Sequence, residues 1–347
     1  MTTIHDIAKL AGVSTSAVSR VLNGYSDIGE ETRQKIWKIV KQLDYHPNVM
    51  ARGLAMKRSW LIGLCWAMDD ASASPDLQGP FFGPIIQGVN ETIGKKGFDL
   101  VLFSADRNSG HDLGLWFRNK VIQRRVDAYV LLGRESFQDR LESLRELPIP
   151  SMFLGVRFSG TRSGYIESDN CRGAKQVIHH LAELGHKRIG LIASRGIGGT
   201  QRMQGALVAF QELGLQVPDD LIVHGDYSRE SGYIATQSLL RLGAPPTAIF
   251  AFGDQMAYGA IDAAREMGFA VPKHLSVVGF ADIETSKHFY PPLTTVRQSP
   301  HLMGVTAANS LVDMIDDPQM KPPELVVPVE LVIRGSTDVV TESSKRE

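Results

Sequence analysis

Apolar and small residues in the first 45 positions recur at helical spacing. Ile4, Ile7, Ala8 and Ala11 share one face. Thr3 stands before them as an N-cap, with Asp6 placed to reach back to it, and Gly12 stops the run. Ser14 can cap a second helix running to about Leu22. In that helix Val13, Ala17, Val18 and Val21 turn inward, while Thr15, Ser16, Ser19 and Arg20 turn outward. Asn23-Gly24 tolerates left-handed backbone and ends it. A third helix, about Glu30 to Leu43, has Ile36, Ile39, Val40 and Leu43 as its buried face. Two short helices with a glycine turn between them make a helix-turn-helix. The competing reading is a small helical hairpin that caps some other domain. Pro47 then breaks the chain. Asn48 can cap a helix of two turns from Val49 to about Met56, which carries Gly53 inside it. Such a helix is marginal by itself and is expected to order only on a partner.

After residue 60 the pattern changes. Apolar runs of strand length alternate with amphipathic stretches. The expected strands are Leu61–Trp66, Asp99–Phe103, Ala128–Leu132, Ser151–Leu154, Arg188–Ile192, Leu221–Val223, Ala248–Phe252 and Ser276–Phe280. Helical patterns such as Ile85–Lys96, Arg172–Leu184, Arg202–Leu213 and Gln255–Met267 lie between them. This alternation predicts parallel sheets in an α/β fold. Eight strands that restart near Ile166 predict two similar lobes rather than one sheet. No apolar run approaches the roughly 20 residues of a membrane span. The start of the chain lacks a basic region followed by an apolar core, so no secretory signal is expected. Two well-separated cysteines, Cys65 and Cys171, fit a reduced, cytoplasmic setting.

Charge is divided unevenly. Residues 1–60 carry a formal +4 and the remainder −5, within a total of −1. A basic head on an acidic body predicts a polyanion as the head's partner. The outward hydroxyls and Arg20 suit the major groove of double-stranded DNA, where hydroxyls reach base edges and a guanidinium forks onto guanine. No zinc spacing, no G-x-S-x-G turn and no acid/base constellation points to an enzyme, and no cofactor or metal is expected. "SRGIGGT" (194–200) is glycine-rich but lacks the spacing and the lysine of a nucleotide loop.

The succession "TIHDIAKLAGVSTSAVSRVLNG", "EETRQKI", "LDYHPNVMARGLA" and "IGL" resembles the LacI-type (lactose-repressor/purine-repressor) family of bacterial transcription regulators. The resemblance spans nearly the whole chain. It implies that Thr15, Ser16 and Arg20 read bases, that Asn23, Tyr25 and Thr32 lie near phosphates, and that Leu54 wedges into a central base step. Gly29 departs from the serine common at its place and remains a tolerable N-cap. The resemblance also implies a body like a periplasmic sugar-binding protein, with three crossings between lobes near 155–165, 283–293 and 318–328. Ligands of such folds sit beyond the carboxyl ends of strands, in the cleft. The expected effector contacts are Trp66, Phe82, Arg202, Phe252, Asp254, Phe280 and Asp282, with Asp254 alternatively a helix cap. Gly155, Gly253 and Ala281 stand where polar contacts are common in the family. That predicts an effector bulkier than a simple hexose, one bound by aromatic stacking plus Arg202, or a cleft that has lost tight sugar binding.

The expected architecture is thus a small all-α helix-turn-helix head plus an α/β body of two doubly wound parallel-sheet lobes. Its boundaries are expected at 1–46 for the head, 47–59 for a hinge helix or linker, 60–340 for the two-lobed body and 341–347 for a tail. The expected function is sequence-specific regulation of transcription, as a repressor controlled by a sugar or sugar derivative. The DNA site is expected to be a pseudo-palindrome bound by a homodimer, since "TDVVTESSKRE" shows no heptad repeat for further assembly. The alternative is a periplasmic-type sugar-binding protein without a DNA role.

Overall fold

The computed structural model describes residues 2–23, 25–45, 58–66, 81–104, 113–133 and 141–340. The chain divides into two compact units, Met1–Trp60 and Leu61–Glu347.

The first unit is three helices: α1 (Ile4–Ala11), α2 (Thr15–Leu22) and α3 (Glu30–Gln42). Local chemistry sets their ends. Asp6 Oδ2 accepts from Thr3 N at 2.9 Å, and Thr3 Oγ1 accepts from Asp6 N at 3.4 Å, a reciprocal capping box. Gly12 takes φ +65°, the left-handed turn between α1 and α2. Ser14 Oγ accepts from Ala17 N at 3.1 Å. Gly29 occupies the N-cap of α3 without a side-chain bond. Ile7, Ala8, Ala11, Val18, Val21, Leu22, Ile36, Ile39 and Val40 form the core of this unit. The four apolar positions assigned inward on the second helix divide: Val18 and Val21 are buried, Val13 and Ala17 half-buried.

The second unit contains two six-stranded sheets. One runs β11-β5-β4-β3-β1-β2, with β1 Leu61–Trp66, β2 Asp99–Ser104, β3 Ala128–Leu132, β4 Ser151–Leu154, β5 Ser163–Ser168 and β11 Glu324–Val327. All its pairings are parallel. The other runs β12-β10-β9-β8-β6-β7, with β6 Ile189–Ser194, β7 Ile222–Gly225, β8 Ala248–Ala251, β9 Ser276–Ala281, β10 Thr294–Arg297 and β12 Glu330–Val332. Only β12 runs antiparallel there. Central strands such as β3 and β8 are buried throughout, so they read as continuous apolar runs rather than as alternation. In the first lobe, helices α4 (Phe82–Lys95) and α10 (Pro300–Asp316) pack closely. A Cβ on Gly88 would lie 2.3 Å from His301 O, and one on Gly304 2.1 Å from Ile85 O.

The lobe crossings fall at 168–170, 297–300 and 327–330, later than the ranges expected. Three additions explain the shift. β5 joins β4 before the chain leaves the first lobe, β10 joins β9 before it returns, and β11 joins β5 before the last crossing. Ile166 therefore belongs to the first lobe, not to the start of the second. The remaining body helices used below are α6 (Asn170–Glu183), α7 (Ile197–Glu212) and α9 (Asp254–Glu266), all in the second lobe; α5 (Leu113–Gln123) and α8 (Arg229–Leu240) complete the order.

Candidate nucleic-acid interface and effector cleft

Helix α2 presents Ser16 and Arg20 to solvent, with Thr15 and Ser19 half-buried. Arg20 is not loose. Its Nε donates to Asp27 Oδ1 at 3.2 Å, its Nη2 pairs with the other Asp27 oxygen, and its guanidinium carbon sits 5.4 Å from the Tyr25 ring centre. Asn23 Nδ2 donates to Ser19 Oγ at 3.2 Å. Arg33 Nη2 donates to Tyr25 O at 2.6 Å and so ties the turn after α2 to α3. Thr32 is half-buried in the first turn of α3. The residues expected to meet DNA are thus presented by α2, the turn after it and the start of α3. Leu54 lies outside the described residues. Asp27 is the residue that sequence reasoning missed. An acid seven positions after an arginine gives no helical-spacing signal, because a turn intervenes.

In the body, a chain of polar contacts passes from the first lobe to the second. Glu167, at the end of β5, is 6 % exposed and accepts from Arg157 Nε at 2.9 Å and from Gln201 Nε2 at 2.8 Å. Gln201 Oε1 accepts from Asn170 Nδ2 at 2.8 Å. Asn170 Oδ1 accepts from Arg202 Nε at 3.0 Å, and Arg202 Nη1 donates to the Phe252 carbonyl. Arg157 and Glu167 belong to the first lobe, Gln201 and Arg202 to the second, and Asn170 to the crossing itself. The Glu167 carboxylate beside Arg157 holds that guanidinium's pKa above its ordinary value.

Arg202 is 6 % exposed, and its guanidinium carbon lies over the Phe280 ring, 3.7 Å from the ring centre. Burial pushes its pKa down. Trp66, buried at the end of β1, meets half-buried Phe82 edge to face at 4.8 Å, and its Nε1 has no hydrogen-bond partner among the described residues.

Four of the expected effector contacts have side chains taken up by neighbours within the second lobe. Phe252 is fully buried against Phe250, 4.9 Å between ring centres, and its carbonyl accepts from Arg202 Nη1. Asp254 is 2 % exposed and accepts from Ile283 N at 2.9 Å, Ser286 Oγ at 2.8 Å and Thr295 Oγ1 at 2.5 Å. It braces the loop after β9 and makes no side-chain cap to its own helix. Phe280 is 1 % exposed and forms the floor under Arg202. Asp282 is held by Arg297 Nε and Arg334 Nη2, both at 2.7 Å. Ala281 and Asp282 take φ +142° and +54°, and those two ion pairs hold this strained strand end. Gly155 has φ +78°, and a Cβ there would meet Gly133 O at 2.4 Å. The acid common at that place in the family does not fit this backbone.

Sequence comparison now adds to this geometry. Residues 3–48 match the profile of bacterial regulatory proteins of the lacI family, and residues 178–337 that of a periplasmic binding protein-like domain. The HTH-type transcriptional repressor PurR of Actinobacillus pleuropneumoniae serotype 5b is 35 % identical over 341 residues, covering 97 % of this chain and 98 % of that protein. The chain belongs to the LacI family. It is a DNA-binding transcriptional regulator, not an enzyme. As a member of a family that acts on bacterial DNA it works in the cytoplasm. Among solved structures, the lac repressor dimer bound to operator and the anti-inducer ONPF superposes with a TM-score of 0.81 at 28 % identity, covering 97 % of this chain and 99 % of that one. The complex of the transcriptional regulator CelR with cellobiose gives 0.70 at 30 % identity, covering 97 % and 100 %. The alternative of a sugar-binding protein without a DNA role gives way to the match over residues 3–48. Among the described residues, no helix is long and apolar enough to cross a membrane.

Proposed function

We propose that the chain is a homodimeric repressor in which Thr15, Ser16 and Arg20 read bases, Asn23, Tyr25 and Thr32 meet phosphates, and Leu54 of each copy wedges into the centre of the site. A carbohydrate-like effector in the cleft controls it through Arg202, with Trp66 and Phe82 as the aromatic wall of the opposite lobe. Asp282, Phe252, Asp254 and Phe280 support this site and do not contact the effector. The head (1–46), hinge (47–59), body (60–340) and tail (341–347) are the working divisions.

The observation that carries this reading is the polar chain Arg157–Glu167–Gln201–Asn170–Arg202. It links the lobes through the first crossing and ends on a buried arginine. A ligand that engages Arg202 alters the contacts that hold the lobes in register. By linkage it shifts DNA affinity only as far as its own affinity differs between the two lobe arrangements.

Selection of bound sequences from random duplex DNA tests the reading, run with and without pooled sugars and sugar acids. A pseudo-palindrome with a C·G step at its centre, enriched or lost on adding the pool, is the expected result. Failure to enrich any sequence in both arms overturns it.

A further inference from the structure

The acidic body has one basic end. Residues 61–347 carry a formal −5, yet from residue 113 to residue 126 there are four cations, Arg118, Lys120, Arg124 and Arg125, and no acid. Arg124 and Arg125 follow α5 and precede β3, which opens at Ala128. Lys95 and Lys96 end α4 and precede β2, which opens at Asp99. Strand β1 runs between β2 and β3 and parallel to both, with Leu61 opposite Asp99 and Ile62 opposite Ala128. One cation pair therefore lies on each side of the amino end of β1. Crossovers between parallel strands are right-handed, and β1–α4–β2 and β2–α5–β3 step in opposite directions across the sheet. Their helices thus lie on opposite faces, and the two pairs bracket Leu61 from both faces. All four residues are exposed, and among the described residues none is held in an ion pair. Two acids share this end, exposed Asp99 and half-buried Asp127.

Farther along the same end of the sheet, the cations before β4 and β5 are used inside the body. Arg145 pairs with Glu142, and Arg162 donates to the carbonyls of Met314, Pro318 and Met320. A cation at a helix carboxyl end also complements the helix dipole, which is a sufficient account of Lys95 alone. It does not account for Arg125. Matching turns follow α4 and α5, with Phe98 N donating to Ile93 O in one and Val126 N to Val121 O in the other. Gly97 takes the left-handed place in the first turn, at φ +80°, and Arg125 takes it in the second, at φ +52°. Glycine adopts this backbone freely and arginine at a cost. Helices α7 and α8 of the second lobe end with no basic residue in the last turn. Four exposed cations around Leu61 are thus more than helix capping requires.

The chain enters the body at Leu61, so this is the end of the body that is tethered to the DNA-binding head. A tether makes a second contact intramolecular, and weak pairing with phosphates then adds to affinity. We propose that Lys95, Lys96, Arg124 and Arg125 form a second, sequence-independent DNA contact, in which the basic end of the first lobe pairs with phosphates of the duplex held by the head. This rests on DNA binding by the head and not on the effector cleft. Lysine and arginine on phosphates supply affinity and salt dependence without reading a base. The contact belongs to the lobe, so it persists when a base-reading residue of the head is lost.

The test is binding of the full chain to two duplexes of equal length over a sodium chloride series, one duplex carrying the site enriched by selection and one of random sequence. Lys96→Gln with Arg124→Gln removes one cation from each side of β1. Lys187→Gln with Arg241→Gln removes two exposed cations that precede β6 and β8 in the second lobe, and so controls for net charge. In the first double variant the slope of log K against log salt is expected to become shallower by about 0.9 per lost phosphate contact, with a few-fold loss of affinity at about 0.1 M salt that is equal on both duplexes. The control is expected to keep the wild-type slope. Arg125→Gly relieves the left-handed backbone, so it is expected to weaken binding to both duplexes while the body's Tm stays level or rises. A wild-type slope in the first double variant overturns the proposal. So does a control whose slope falls as far, because net charge alone then acts. So does a loss confined to the selected site, which assigns the effect to base reading by the head. Arg125→Gly that lowers Tm and leaves binding intact overturns the proposal at that residue and makes it a helix cap. Wild-type protein that binds neither duplex overturns the DNA reading itself, a failure distinct from these.

Discussion

The head and the cleft each present an arginine for recognition, and they hold it in opposite ways. Arg20 has a side chain 48 % exposed, and its partner Asp27 is equally exposed. Arg202 is buried, stacked on Phe280 and bonded only to neutral groups. An exposed ion pair is worth under about 1 kcal/mol, so Arg20 can exchange Asp27 for a base at little cost. A buried guanidinium held by an amide, a carbonyl and a ring is fixed before any ligand arrives. The head is arranged to re-pair on DNA, and the cleft to receive a group into a finished frame. The difference extends to neighbouring residues. Polar groups of the head bond to residues close in sequence, whereas the body's inter-strand and inter-lobe polar groups, such as Arg202–Asn170 and Gln201–Glu167, bond across tens of residues.

The largest effect expected from this contrast is at Asp254. Its carboxylate satisfies Ile283 N, Ser286 Oγ and Thr295 Oγ1. Asp254→Ala removes the shared acceptor of three buried donors, of which Ser286 alone keeps another partner, Tyr258 Oη, and is expected to destabilise the body by about 3 kcal/mol, with the head unaffected. Denaturant unfolding followed by body tryptophan fluorescence measures it. Unchanged body stability with weakened effector binding would make Asp254 a ligand contact after all.

Next comes acidification. His186 is buried among Thr247 Oγ1, Ser276 Oγ and the Asp338 carbonyl, and burial lowers its pKa to about 4 from an ordinary 6.5. Between those values the unfolded chain binds the proton and the folded chain does not. Stability therefore rises with pH in this window and is lost as pH falls from about 6.5 to about 4. The His186 contribution to that loss is roughly 2–3 kcal/mol. A His186→Gln variant should show a shallower acid dependence of the body's unfolding midpoint. An identical pH slope in the variant would assign acid sensitivity to other groups.

These long-range body contacts explain what was legible in the chain and what was not. The Thr3–Asp6 box, the Ser14 cap and the Gly12 turn act over three or four residues, so their spacing is written directly in the sequence. The apolar central strands were equally plain. Strands β5, β10, β11 and β12 were not, because their polar residues are satisfied by distant partners. Ser163 accepts from Ser151, Thr294 N donates to Ser336 Oγ, and Glu324 accepts from Ser159, 165 residues away. The family resemblance pointed to Arg202, but nothing local showed that its partners would be Asn170 and the Phe252 carbonyl. Position after a strand located Phe252 and Asp254 at the correct end of the sheet. It could not say which way each side chain would turn.

On the head, Arg20→Ala is expected to weaken operator binding by about 1–3 kcal/mol and to relax specificity at one base per half-site. Binding measured against a panel of single-base operator variants checks this. Equal loss on every sequence would make Arg20 a phosphate contact and remove the parallel with Arg202.

The smallest expected effect, and the sharpest test of the comparison, is at Asp27. If its role is to hold Arg20 loosely in a readable orientation, Asp27→Ala should change head stability by under about 0.5 kcal/mol, as for an exposed pair. It removes a negative charge beside the DNA-facing helix, so non-specific affinity should rise at fixed salt. Specific affinity should rise less, because the freed Arg20 must then be ordered on binding. The ratio of operator to random-DNA dissociation constants should therefore narrow by a few-fold, and only when Arg20 is present. An Asp27→Ala, Arg20→Ala double variant separates charge from orientation. Charge removal acts in both backgrounds, whereas the narrowing of the ratio beyond it vanishes without Arg20. A ratio that narrows equally in both backgrounds would leave Asp27 as a simple repulsive charge, and the head's arginine as free before binding as the cleft's is fixed.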